Sequence, residues 1–203
     1  MLSEFFVFLR LGFDHIADIQ GYDHILFIVA LCAGYEPRHW RKLLILVTAF
    51  TLGHSLTLAL ATLRIITIND ALVEFLIPLT ILITGAVNIV VASTRKAGRA
   101  QMVEGKGARG LKYVLALGFG LIHGMGFSNF LRSLLGQEEG IALPLFSFNV
   151  GLELGQILIV VVVLILTFLM VRLVRMPRHD WVLVLSGATV GVALILMVER
   201  LAA

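Results

Sequence analysis

Apolar residues occur along this chain in runs of about 20, separated by shorter polar segments. A run of that length matches the number of helical residues needed to cross the hydrocarbon core of a bilayer. Six such runs predict membrane-spanning helices at residues 16–35, 43–63, 71–93, 113–132, 142–171 and 181–198. The pattern therefore predicts an all-α fold, a polytopic membrane helix bundle that forms a single integral membrane domain over residues 1–203.

Two segments outside these runs differ from the predicted spans. Residues 1–13 combine large apolar side chains with Glu4 and Arg10, a mixture typical of a short helix in the membrane interface. Residues 94–112 are rich in glycine and charge and show no hydrophobic period, which predicts a flexible loop. We expect six spanning helices preceded by one interfacial helix.

The composition supports a membrane protein. Of the 203 residues 59% are hydrophobic and 14% are charged, whereas a soluble domain has roughly 45–50% apolar and 25% charged residues. The net charge of +3 does not indicate a nucleic-acid partner, because the basic residues cluster in loops between apolar runs. We therefore expect a lipid bilayer around the chain and no nucleic acid. The single cysteine, Cys32, excludes an intramolecular disulfide.

Basic residues in the loops predict the orientation. The loops after the first, third and fifth predicted spans hold 12 of the 16 lysines and arginines, and the opposite side holds the other 4. The positive-inside rule places the richer loops, including the loop 94–112, in the cytoplasm. The sequence thus predicts a multi-pass protein of the bacterial inner (cytoplasmic) membrane with both termini outside.

Four ionisable side chains lie deep within predicted spans, namely His24, His54, His123 and Glu153. Each such group costs about 2.5–3.5 kcal/mol on insertion scales, so it needs a partner or a function. Counted from the outer ends of their spans, all four lie on the order of 12–16 Å deep at 1.5 Å per residue. Common depth predicts one shared site, to which we add Asp23 because it precedes His24.

Polar neighbours at helical spacing are expected to support this site. Thr51 and Ser55 flank His54 and are predicted to orient its second ring nitrogen. Asn149 and Gln156 form a stripe with Glu153, at spacings of four and three residues. The pairs Gly120/Gly124 and Gly151/Gly155 predict close helix contacts. Glu74, one turn before Pro78, is either a gating residue or a simple interfacial acid.

A second polar cluster, Asp14, His15 and Asp18, lies at the outer end of the first predicted span. We expect water to reach it, so it is either a capture site at the entrance or a solvated surface.

The donor types select a class of metal. Imidazole with carboxylate suits a divalent transition metal, whereas copper(I) prefers soft sulfur and magnesium or calcium prefer oxygen. No thiolate lies near the predicted ligands. The donors alone therefore predict a borderline divalent transition metal, and affinity does not single out Ni²⁺, because it favours Cu²⁺ and leaves Zn²⁺ competitive.

The chain resembles the HupE/UreJ family of bacterial membrane proteins at four motifs, which are Gly21–Phe27, Phe50–Leu58, Phe119–Phe127 and Phe148–Gln156. The resemblance covers nearly the whole length and implies uptake of nickel, and in some members cobalt. It also implies ligand roles for His24, His54, His123 and Glu153. One departure concerns the family signature, in which five residues separate a histidine from Asp-His. Here seven residues separate His15 from Asp23, and Ala17 stands at the expected position.

The leading hypothesis is a permease that imports a divalent transition metal from periplasm to cytoplasm, with no catalytic residues. The resemblance favours Ni²⁺ as the ion, and Co²⁺ or Zn²⁺ are the alternatives. A different class is also open, a zinc-dependent intramembrane hydrolase acting on a lipid, with Ser55 and Asp23 as helpers. A third reading is a membrane protein that binds the metal without transporting it. The sequence makes no prediction of oligomeric state or of a coupling ion.

Overall fold

The computed structural model describes residues 2–67, 69–94, 106–135 and 140–202. Within these residues the chain forms eight α-helices in the order α1 Leu2–Ala17, α2 Asp23–Ala33, α3 Trp40–Thr62, α4 Asp70–Thr94, α5 Lys106–Gly126, α6 Ser128–Leu135, α7 Ala142–Phe168 and α8 Arg178–Ala202. A 3₁₀ turn, Pro37–His39, precedes α3, and a π-helical turn, Leu169–Leu173, continues α7. No strand occurs in these residues, so the predicted all-α class is confirmed.

Among the described residues, four helical segments are long and apolar enough to cross a membrane, and they are Pro37–Thr62, Asp70–Thr94, Ala142–Leu173 and Arg178–Ala202. They correspond to the predicted second, third, fifth and sixth spans. The predicted fourth span, 113–132, is a bent pair, because α5 and α6 meet at an angle of 48°. The helix prediction is therefore confirmed for these segments, with a break inside the fourth.

The first predicted span, 16–35, is not one helix. Residues 16 and 17 close α1, and α2 has only 11 residues, which is about 16 Å of helix and too short for the hydrocarbon core. The break lies at residues 18–22, where the Asp18 carboxylate accepts a hydrogen bond from the Gln20 backbone N–H at 2.8 Å. Aspartate favours such turns because its side chain can bond to its own backbone two residues on.

The N-terminal helix differs from its prediction in length and packing. Expected over 1–13, it continues to Ala17 and so contains Asp14 and His15. It packs along α7, with Gly12 under the Phe148 carbonyl and Gly151 under the Leu9 carbonyl. A β-carbon at either glycine would collide with the opposing backbone. This contact fixes the position of His15 relative to α7.

Helices α3 and α5 approach each other in the same way. Gly53 faces the Leu117 carbonyl, and Gly120 and Gly124 face the carbonyls of Phe50 and His54. The predicted close contacts at Gly120/Gly124 and Gly151/Gly155 are thus confirmed. Gly124 adjoins His123 and lies on the His54 carbonyl, so the glycine contact brings the backbones of α3 and α5 together at these two residues.

The prediction of a flexible loop over 94–112 is wrong at both ends of that range. Thr94 closes α4, and residues 106–112 form the start of α5. Residues 95–105 lie outside the described residues.

Candidate metal centre

Three histidines from three helices converge in the interior. His15 on α1, His24 on α2 and His54 on α3 each offer a ring nitrogen, and these atoms all lie within 4.8 Å of one another. The ring centroids are 4.7 Å apart for His15 and His24, 5.8 Å for His15 and His54, and 6.0 Å for His24 and His54. His24 and His54 are buried and His15 is half-buried. We name these three residues the histidine centre.

Four ring nitrogens of the histidine centre lack protein partners. His15 Nε2, His24 Nε2 and both ring nitrogens of His54 are buried without a hydrogen bond. A buried polar atom without a partner is destabilising by about 1–3 kcal/mol, and four at one place indicate a ligand. A tetrahedral ion with bonds of about 2.1 Å holds its donor atoms about 3.4 Å apart. The ring nitrogens lie within 4.8 Å of one another, so small side-chain rotations have to bring them closer when an ion binds.

Asp23 orients His24. The Asp23 Oδ1 atom lies 2.9 Å from His24 Nδ1 and also accepts the His24 backbone N–H at 2.8 Å. An aspartate oxygen only accepts, so Nδ1 carries the proton and Nε2 presents its lone pair to the histidine centre. This carboxylate–histidine arrangement recurs in metal sites, where it fixes the ring and raises its basicity. Asp23 is therefore placed behind His24, as a partner of the ligand.

His123 on α5 lies beside this group. Its ring centroid is 4.9 Å from that of His24, and its Nε2 is 2.9 Å from Thr80 Oγ1. The Thr80 hydroxyl donates its one hydrogen to the Ile77 carbonyl at 2.7 Å, so the threonine accepts from Nε2–H of His123. The Nδ1 atom of His123 then carries a lone pair, and it is buried without a partner. His123 is thus prepared as a further donor.

Aromatic rings enclose the histidines. Phe148 on α7 stacks on His54 at 6.3 Å and lies 5.7 Å from His15, and Phe127 lies 4.0 Å from His15. On another side Phe50 lies 5.1 Å from His123, and Phe27 lies 5.3 Å from it. Apolar walls restrict the hydration of these side chains, which strengthens their interaction with a cation.

A cavity of about 210 Å³ leads to the histidine centre. Three of the histidines, His15, His24 and His123, are part of its wall, and the carboxylates of Asp18, Asp23 and Glu74 are part of it too. Arg200 also lines the cavity and pairs with Glu74 at 3.2 Å. The cavity therefore carries more acidic than basic groups on the way to the histidines.

Glu153 lies elsewhere, between α7 and α3. Its Oε1 accepts from the Thr48 hydroxyl and its Oε2 from the Thr51 hydroxyl, both at 2.6 Å. It is not a member of the group of possible metal donors found among the described residues. Of the predicted ligands, His24 lies beside both His54 and His123, and the structure does not bring Glu153 to them.

The predicted supporting residues also have other partners. Thr51 contacts Glu153 and Gln156, and Ser55 donates to the Thr51 carbonyl at 2.6 Å. The expectation that they orient His54 is wrong, since both nitrogens of that ring lack a hydrogen bond. Asn149 Oδ1 is buried without a partner.

The three residues predicted to form an outer cluster, Asp14, His15 and Asp18, do not lie together as one site. His15 belongs to the histidine centre, although we expected it at the entrance, and Asp18 lines the cavity. Asp14 is exposed and pairs with Arg10 on its own helix at 3.4 Å. Sequence reasoning missed Thr80 and Arg200, and the only signal for Thr80 was a hydroxyl within an apolar span.

Comparison with known proteins gives one match. A model of the HupE/UreJ protein family matches residues 1–200. No curated protein and no solved structure matches the chain. A family match over nearly the whole length, with four helices apolar enough to cross a membrane, identifies a multi-pass membrane protein. The chain belongs to the HupE/UreJ family, which is associated with nickel and cobalt transport.

Proposed function

We propose that this chain is a permease that imports a divalent transition metal, with Ni²⁺ as the preferred cargo. The observation that carries the proposal is the convergence of His15, His24 and His54 from three helices, with their ring nitrogens within 4.8 Å. Association of the family with nickel and cobalt transport supports a metal permease in general terms. The choice of ion and the route through the protein are part of the same proposal.

The donor chemistry favours a borderline ion. Imidazole nitrogens suit nickel, copper and zinc, and they discriminate against magnesium and calcium. The one thiol, Cys32, is buried in an apolar cluster with residues such as Val160 and is not part of the histidine centre. Co²⁺ binds such sites somewhat more weakly than Ni²⁺, and Zn²⁺ competes with it, so both are alternative cargoes.

The cavity supplies the route of entry. Asp18 and Glu74 line it together with His15, so a hydrated cation that enters it meets carboxylates as well as imidazoles. Concentrated negative charge in a cleft with low-dielectric walls raises the local concentration of cations. Capture is thus assigned to Asp18 with His15, and Asp14 has no part in it.

His123 is proposed as the next donor along the path. Its free Nδ1 and its short distance to His24 allow it to replace one of the first three ligands as the ion moves. An ion that can pass between neighbouring sites of similar chemistry is bound without being held too tightly to leave. Conduction requires this combination.

The driving force follows from the proposed orientation. With the basic loops in the cytoplasm and both termini outside, the chain lies in the bacterial inner membrane and a negative-inside potential drives the ion inward. For a 2+ ion that potential contributes about 4.6 kcal/mol per 100 mV, twice the single-charge value.

The hydrolase alternative has less support. A catalytic zinc site with three histidines needs a water and helper groups. Ser55, one predicted helper, donates its hydroxyl hydrogen to the Thr51 carbonyl, and Asp23, the other, accepts a hydrogen bond from His24. Neither is free to activate a lipid ester or amide.

Metal uptake by sealed vesicles tests the proposal. Wild-type protein should accumulate Ni²⁺ when a negative-inside potential is applied, and His54→Ala and His123→Ala should not. His179→Ala is the matched control, because His179 is exposed and far along the chain from every cavity-lining histidine. Absence of uptake by wild type, together with turnover of vesicle lipid, would favour the hydrolase; saturable binding without uptake would favour a non-transporting metal-binding protein.

A further inference from the structure

A second cavity, of about 80 Å³, lies among α2, α3, α4 and α5. Its wall is mostly apolar, but Thr84 and Asn88 of α4 and Lys112 of α5 are part of it. We name it the inner cavity, and we name the cavity that leads to the histidine centre the outer cavity. Lys112 is among the basic residues that the positive-inside rule places in the cytoplasm, so the proposed orientation puts the inner cavity toward that side.

Three helices line both cavities, in the same order. The residues of the outer and the inner cavity are His24 and Leu31 on α2, Pro78 and Thr84 on α4, and His123 and Leu115 on α5. Each pair is separated by about two helical turns, or about 10 Å along the helix axis. The two cavities therefore lie at different depths of the same bundle.

Large apolar side chains occupy the level between the two cavities. Phe27, Phe50 and Ile81 are buried in one apolar cluster, and Phe119 packs against it. On α2, α4 and α5 the cluster residue stands between the outer and the inner member of its helix, about one turn from each. We name Phe27, Phe50, Ile81 and Phe119 the aromatic cluster.

The aromatic cluster fills this level tightly. Phe27 stacks on Phe50 at 4.9 Å, and the ring of Phe119 lies 6.0 Å from that of Phe27. Phe27 and Phe50 are each 1% exposed, so these rings leave no room for water beside them. Both rings contact His123, and Phe119 is part of the wall of the inner cavity. The cluster thus separates His123 from the inner cavity.

Polar side chains on α4 continue past the aromatic cluster. Thr80 bonds to His123, Thr84 donates to the Thr80 carbonyl at 2.7 Å, and Asn88 Nδ2 donates to the Ala30 carbonyl at 2.7 Å. These three residues recur every fourth position, so they share one face of the helix. Thr84 Oγ1 and Asn88 Oδ1 retain lone pairs. The inner cavity therefore offers oxygens to a cation or to its hydration water.

We propose that the aromatic cluster is a gate, and that the inner cavity is the exit by which a metal ion leaves His123 for the cytoplasm. The proposal rests on the proposed function, because it takes the outer cavity as the entrance. An apolar constriction excludes water, so an ion passes only when the rings move apart. In the arrangement described here an ion reaches the histidines from the outer cavity alone. Closure at this level keeps other cations from leaking inward along the membrane potential.

Side-specific thiol labelling tests the gate without requiring metal transport. The full-length chain carries Cys32→Ala, which removes its one cysteine. Thr84→Cys then reports on the inner cavity and Leu196→Cys on the outer cavity. In sealed vesicles without Ni²⁺, a charged, membrane-impermeant methanethiosulfonate should modify Thr84→Cys from the cytoplasmic side only and Leu196→Cys from the periplasmic side only.

Opening the gate should change this labelling. Phe27→Ala removes the ring that contacts Phe50, Phe119 and His123, so Thr84→Cys should become reactive from the periplasmic side as well. Phe8→Ala is the matched control, because it removes a buried ring from the other apolar cluster. It should leave the labelling unchanged. Circular dichroism shows whether each variant is folded, and the labelling with the aromatic cluster intact needs no gate variant.

Three results would overturn the gate. They are modification of Thr84→Cys from the periplasmic side with the aromatic cluster intact, resistance of Thr84→Cys to the reagent from both sides, and unchanged labelling in folded Phe27→Ala. An exchange of the two sides would keep the gate and reverse the proposed orientation. The expected labelling together with no Ni²⁺ uptake by wild type would refute the proposed function and leave a barrier between two cavities.

Discussion

The histidine centre and the polar contact between α3 and α7 lie in the same helix bundle and share α3, yet their atoms differ in what they can bind. We call this polar contact, which consists of Glu153, Gln156, Thr48 and Thr51, the glutamate cluster. The histidine centre offers imidazole nitrogens, several of them without a partner, at the base of a cavity. The glutamate cluster offers oxygens that already bond to one another, at a seam between two helices. A borderline divalent ion fits the first, whereas the polar groups of the second already satisfy one another. Two neighbouring polar regions of one bundle therefore differ in what they can bind.

The largest expected difference between the two regions follows from removing a ligand. His24→Ala should abolish Ni²⁺ binding, since it removes both the Nε2 donor and the group that Asp23 orients. Glu153→Gln should leave the Ni²⁺ dissociation constant unchanged. Equilibrium dialysis of both variants checks this, and equal losses would mean that the two regions form one site.

The next effect concerns the partner of a ligand. Asp23→Asn keeps the shape of the side chain but removes the anion that holds His24 Nδ1–H at 2.9 Å. Loss of such a partner typically weakens metal affinity by about 10–100-fold. Titration with Ni²⁺ measures the change. An unaltered affinity would show that Asp23 does not position the imidazole.

Helix contacts near the histidine centre give a stability prediction. Gly120→Ala places a β-carbon on the Phe50 carbonyl, and overpacking of this kind costs about 1–3 kcal/mol. Gly118→Ala on the same helix is the matched control, because nothing lies within 4 Å of its β-carbon. Denaturation in detergent should show a lower midpoint only for Gly120→Ala; equal midpoints would argue against close packing of α3 on α5.

The smallest effect belongs to the glutamate cluster. Thr51→Val removes one hydroxyl that contacts Glu153 and Gln156, which should destabilise the chain by about 1 kcal/mol. Its Ni²⁺ affinity should match wild type, because Thr51 does not bond to His54. A large loss of Ni²⁺ affinity in this variant would show that the glutamate cluster contributes to the metal site.

The sequence predicted much of this arrangement, and its errors have physical causes. Runs of apolar residues predicted the long helices, and the depth argument singled out His24, His54 and His123, of which His24 neighbours the other two. His15 was misplaced because 16–35 was interpreted as one span. The turn signal was present in Asp18 and Gly21, and the break at 18–22 lets α1 bring His15 back to the centre.

Glu153 was assigned to the metal site because depth does not specify the face of a helix. Phe148 on α7 points at His15 and His54. Glu153 follows five residues later, and at 3.6 residues per turn this places it about 140° further round the helix. Rotation about the helix axis, which depends on the Gly12 and Gly151 contacts with α1, decides which polar residues meet.

X-ray absorption at the nickel edge tests the central claim most directly. The spectrum of Ni²⁺-loaded wild type should show imidazole scattering from three or more histidines, and His54→Ala should lose a histidine from that shell. Glu153→Gln should give the wild-type spectrum. A nickel shell without imidazole, or one that changes on Glu153→Gln and not on His54→Ala, would contradict the assignment of the metal to the histidine centre.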